Sequence, residues 1–164
     1  MSWRDHIKVH PAADLFPMMS ESELIELGKN IRANSIIVTK IAYYKGELLD
    51  GRNRLEAMER EGITLDWANI KDSAVVLHLD ASIDPYEYVI SANLHRRHLT
   101  SEQKRELIDK VLKAKPEVSN AAIAKQTKTT DKTVAKRRRK LESTSEIPKL
   151  KGLPALTVRS GRRA

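Results

Sequence analysis

Apolar positions repeat along this chain with two periods, and the change from one to the other marks its elements. In residues 20–33, Leu24, Leu27 and Ile31 recur at i, i+3 and i+7, the spacing of one helix face. Ser20 or Ser22 can cap the start, and Glu21 and Glu23 suit the positive end of the helix dipole. Ahead of this helix, residues 7–9 read as a short strand entering a turn bounded by Pro11 and Pro17. β-rich runs follow at residues 36–44 and 47–50, and Lys45-Gly46 between them predicts a hairpin. Residues 52–61 are helical in composition and stop at Gly62. Residues 74–79 form a third strand candidate, and residues 84–94 a helix with Pro85 in its first position.

From Thr100 onward only the helical period remains. Thr100 and Gln103 are spaced as a capping box for a helix over 101–115, with Leu107, Val111 and Leu112 as its apolar stripe and Pro116 as its stop. Ser119 or Asn120 caps a short helix to about Lys125, residues 127–130 make a turn, and residues 131–141 form a last helix. Residues 143–164 lack periodicity and are rich in Ser, Pro, Gly and Arg, which predicts a flexible basic tail. The fold class expected is therefore α+β: a small mixed domain over residues 1–98, then an all-α helix-turn-helix domain over residues 99–142.

Composition changes the picture through charge. Residues 1–90 hold 10 Lys and Arg against 15 Asp and Glu, a net of −5; residues 91–164 hold 20 against 7, a net of +13. Such asymmetry suggests one module for a polyanion and another for something else. The chain has no cysteine, which removes disulfides, thiolate zinc sites and cysteine catalysis. No apolar run approaches the roughly 18 residues that span a membrane, and the start carries no charged-then-apolar leader. A cytoplasmic protein without a membrane partner is expected.

The strongest local pattern is NAAIA at 120–124, KQTKTT at 125–130 and DKTV at 131–134. This is the spacing of a helix-turn-helix that reads duplex DNA. Ala124 lets two helices approach, Ile123 and Val134 fill the space between them, and Leu141 lies further along the second. That helix carries Lys132, Thr133, Lys136, Arg137, Arg138, Arg139 and Lys140. An α-helix fits the major groove with its first residues at the base edges, while cations further along neutralise phosphates. The DNA-contacting set expected is Lys128, Thr130, Lys132, Thr133, Lys136, Arg137, Arg138 and Lys140. Lys128 stands where such turns commonly hold Gly, so a positive φ is expected there. Helix-turn-helix proteins read paired half-sites as dimers, so a homodimer assembled on DNA is expected.

Two further segments are richer than a core requires. In LDGRNRLEA, residues 49–57, a strand enters Gly51 and a helix opens with two arginines, an arrangement suited to anions. In NLHR, residues 93–96, polar side chains crowd between two helices; His95 and His98 lack a carboxylate or cysteine at zinc-ligand spacing. Together with the LTxxQ run at 99–103, these segments resemble the ParB/sulfiredoxin superfamily, specifically short ParB-like proteins with an N-terminal ParB domain and a helix-turn-helix. The resemblance spans roughly residues 5–141. It implies DNA binding for partition or transcription regulation, and CTP with magnesium as a ligand of the first domain. The phosphate-contacting residues it implies are Gly51, Arg52, Asn53 and Arg54, then Asn93 and Arg96. Three departures stand out: Arg52-Asn53 replace Glu-Arg, Ala92 replaces a magnesium-holding Glu, and Ser35 and Thr39 replace the Gly and Pro that often flank the second strand. The sulfiredoxin branch needs a cysteine that this chain lacks.

The competing reading is a ParB-like nucleotide-using enzyme, a CTPase or other NTPase, a kinase or a nuclease, with Asp50 or Glu56 as general base. A third is an adaptor whose basic half only steers partners. For Arg52 and Arg54, phosphate binding competes with ion pairs to Asp50, Glu56 or Glu59.

Overall fold

The computed structural model describes residues 2–34, 40–70, 75–94 and 99–149. Among them the chain is α+β, with six α-helices and one three-stranded sheet. It divides into two compact units, residues 1–107 and 108–164.

The first unit is built on the sheet, in the order β2-β1-β3. β1 (Ile41–Tyr44) and β2 (Glu47–Asp50) form the expected antiparallel hairpin. Lys45 and Gly46 both take positive φ, 50° and 84°, which suits a two-residue hairpin turn. β3 (Val76–Leu79) lies parallel to β1, after α2 (Arg52–Arg60). The strand expected at residues 7–9 shrinks to one parallel bridge, Val9 to Leu48. Lys8 and Leu48 still share a backbone hydrogen bond, but Pro11 turns the chain into a short 3-10 helix, Pro11–Leu15. A proline supplies no N–H to continue a ladder.

Burial follows the predicted faces. Trp3, Ile7, Ile41, Tyr43, Leu48, Leu55, Ile70 and Val76 pack as one core, although Trp3 lies in an N-terminal turn that the periodicity does not reveal. α1 (Glu21–Asn34) sets Leu24 and Ile31 against Ala57 and Met58 of α2 in a second cluster. α3 (Pro85–Leu94) buries Val89 and Ile90.

α4 (Ser101–Ala114) opens with the capping box: the Thr100 N–H donates to Gln103 Oε1 at 2.9 Å, and the Gln103 N–H to Thr100 Oγ1 at 3.2 Å. The division between units falls inside α4, not at the loop before it. In the second unit, α5 (Asn120–Thr127) and α6 (Asp131–Ser143) pack on each other, and Ile108, Val111, Leu112, Ile123, Val134, Leu141 and Ile147 are buried. Of the tail expected over residues 143–164, Ser143 ends α6 and Ile147 is buried, while residues 150–164 lie outside the described residues.

Candidate functional site

The helix pair α5–α6 is set by its caps. Ser119 Oγ accepts the Ala122 N–H and starts α5. Lys128 ends it with φ 51° and ψ 48°, the left-handed conformation its place in the turn predicts. Thr130 Oγ1 accepts the Thr133 N–H and starts α6, and the two threonine hydroxyls lie 2.8 Å apart. These bonds satisfy donors that the first turn of a helix leaves free.

Burial then sorts the basic run on α6. Val134, Arg138 and Leu141 lie at i, i+4 and i+7, and all three are buried. Lys132, Lys136 and Arg139 recur at the same spacing on the opposite side and are exposed, with Lys140 exposed beside them. Lys125 and Lys128 add exposed cationic residues at the end of α5.

Two arginines of the expected DNA-contacting set are bound within the protein. Arg138 is 4% exposed. Its Nε donates to Asn120 Oδ1 at 2.7 Å, its Nη1 to the Pro116 carbonyl at 2.5 Å, and its Nη2 to the Val118 carbonyl. Burial lowers its pKa from the usual guanidinium value, opposed by the negative charges of Glu142 and Glu117. Arg137 is half-buried and grips Asp109 of α4 with both prongs, Nε to Oδ1 at 2.7 Å and Nη2 to Oδ2; that pairing raises its pKa. Arg139, the next residue, is exposed instead. The signal was in the sequence: a residue between Val134 and Leu141 at i+4 shares their face.

In the first unit, Gly51, Arg52, Asn53 and Asn93 of the two sequence boxes do meet. They line one small pocket with Ala13, Phe16, Leu49, Asp50 and Val89, of about 260 Å³ including the solvent at its mouth. Arg54 is not in its lining, and Arg96, with His95 and His98, lies outside the described residues. The polar groups are largely committed to the fold. Arg52 donates to Asp14 Oδ1 at 2.5 Å and to the carbonyls of Ala13 and Phe16 at 2.5 and 2.8 Å. Arg54 donates to the Lys40 carbonyl at 2.9 Å and Asp50 Oδ2 at 3.2 Å, and its Nε is buried without a partner. Asn53 Oδ1 accepts the Met19 N–H, and Asn93 donates from Nδ2 to the Val89 carbonyl. Gly51 answers to packing. Its φ is 116°, and a Cβ there would lie 2.5 Å from Ile41 Cγ2.

Glu56 and Glu59 do not pair with Arg52 or Arg54. They hold the N-terminal segment instead: Glu59 Oε2 accepts the Trp3 N–H at 2.9 Å, and Glu56 Oε2 accepts from Trp3 Nε1 and Arg4 Nη1.

CTP with magnesium does not fit these residues as they stand. Arg52 and Arg54 are already engaged by Asp14, Asp50 and backbone carbonyls, and the pocket is smaller than the roughly 300–1,000 Å³ of small-molecule sites. Among the described residues, no three His, Asp or Glu side chains gather as a metal site. No described helix is long and apolar enough to cross a membrane. Comparisons with family models, with curated proteins and with solved structures returned no match.

Proposed function

We propose that this protein binds duplex DNA through α6, in the manner of a partition or transcription-regulating protein acting in the cytoplasm. The observation that carries the reading is the sorting of α6. One face is packed, with Val134, Arg138 and Leu141 buried, and the opposite face sets Lys132, Lys136, Arg139 and Lys140 in solvent. Its N-terminal end, with Lys132 exposed and Thr133 half-exposed, is the part that meets base edges when a helix enters a major groove. A cationic stripe on a capped helix packed by its other face offers phosphates a set pattern of charge. The ParB-like two-domain arrangement belongs to this proposal, and so does a dimer formed on DNA. The nucleotide-using enzyme is the weaker reading, because Asp50 pairs with Arg54 and Glu56 with Arg4 and Trp3.

The test is selection from random-sequence duplexes by the full chain, with and without CTP and Mg²⁺. Enrichment of a sequence family under both conditions is the expected result. Affinity unchanged between low and moderate salt would reject the electrostatic interface, and enrichment only with CTP would restore the nucleotide to the first unit.

A further inference from the structure

The buried arginine inside the basic run has a role of its own. An isolated guanidinium would not be drawn out of water into a small helical unit, since desolvating it is costly. Arg138 is compensated because its planar fork reaches three acceptors on one stretch of chain: the Pro116 and Val118 carbonyls and Asn120 Oδ1. That stretch is the loop after α4 and the first residue of α5, so α6 is tied at its middle to the start of its partner helix. Arg137, one residue earlier, grips Asp109 and ties α6 to α4. The exposed stripe of Lys132, Lys136 and Arg139 sits on the far side of the same helical turns.

We propose that Arg138 is a positioning residue for DNA binding: it fixes the direction in which α6 presents its cationic face and touches no phosphate itself. The proposal rests on the DNA reading above. It separates two roles that five successive basic residues would otherwise share. Lysine cannot replace the arginine, because an ammonium is a point charge that cannot meet three acceptors in one plane. Asn120 shares the role, since its side-chain oxygen is one of the three acceptors.

The experiment measures duplex affinity against salt for the full chain, using the duplex recovered by selection and a random duplex of equal length. Arg139→Gln and Lys136→Gln should each flatten the log–log salt slope by about 1, the signature of a lost phosphate contact. Arg138→Gln should weaken binding about tenfold, because a misdirected α6 meets the base edges less well, with the slope unchanged. Arg138→Lys should resemble Arg138→Gln, and Asn120→Ala should show a smaller loss of the same kind. Asn120→Ala retains two of the three bonds to the fork, so it keeps the proposal testable if Arg138→Gln unfolds. Helicity measured at the assay temperature identifies folded variants. A slope lowered by about 1 in Arg138→Gln would make it a phosphate contact, and wild-type affinity in Arg138→Lys or Asn120→Ala would remove the clamp; either overturns the proposal. Failure of the wild type to bind either duplex would instead overturn the DNA reading.

Discussion

At the scale of single residues, the chain separates chemistry that looks functional from chemistry that holds the fold. Gly51, in the segment that resembles a phosphate box, has left-handed backbone, and a methyl group there would collide with Ile41. Gly51→Ala should therefore cost about 2–4 kcal/mol, from backbone strain and overpacking together, read as a shift in the urea midpoint. Glu56 gives a pH signature. Burial pushes its carboxyl up most strongly, but hydrogen bonds from Arg4, Trp3 and Arg60 together outweigh burial and hold it below the ordinary 4.5. A lowered carboxylate pKa contributes stability that is fully present above the unfolded value and is lost as pH falls through the folded one. The window thus lies below 4.5. Unfolding midpoints of Glu56→Gln and wild type should differ more at about pH 7 than at about pH 3; an equal difference at both would show that charge at Glu56 is immaterial.

At the scale of elements, periodicity and caps located nearly every helix to within a residue or two. Thr100 and Gln103 cap α4 where their spacing predicts, Ser119 is the one of its two candidates that caps α5, and Thr130 caps α6. Those signals are local, carried by side chains reaching backbone three residues away. Lys128 shows a cost accepted at a turn. It holds the left-handed position that favours glycine, at φ 51°. Lys128→Gly should stabilise the second unit by about 1 kcal/mol while weakening DNA binding by the loss of a cation. Thermal melts and binding assays on one variant would thus move in opposite directions. A variant that lost both would place the Lys128 side chain in the fold. The short strand expected at residues 7–9 went wrong for a reason on the same scale, because three apolar-rich residues ahead of a proline provide one bridge and no ladder.

At the scale of the whole molecule, the acidic first half and basic second half are a fact of sequence, and they set the sign of any polyanion's preference. The structure limits how many charges can act. With Lys128, Lys136, Arg139 and Lys140 as phosphate contacts and Lys132 at the bases, the log–log salt slope should be about −3 to −4. A slope near −8 would mean that α6 is a minor part of the interface. By itself the sequence determined the order of elements, the helical hairpin and the charge on its second helix, because those follow from local spacing and composition. It also singled out Gly51, Arg52, Asn53 and Asn93, which gather at one pocket. Only tertiary structure decided what those groups do. Arg52 finds the carbonyls of Ala13 and Phe16, Trp3 finds Glu56, and Arg138 finds the loop before α5. Such partners lie many residues apart, and an arginine's sequence neighbours do not reveal whether its guanidinium ends in water, on a phosphate or among carbonyls. That outcome depends on which acceptors the folded chain brings within reach, and on whether they repay the loss of water.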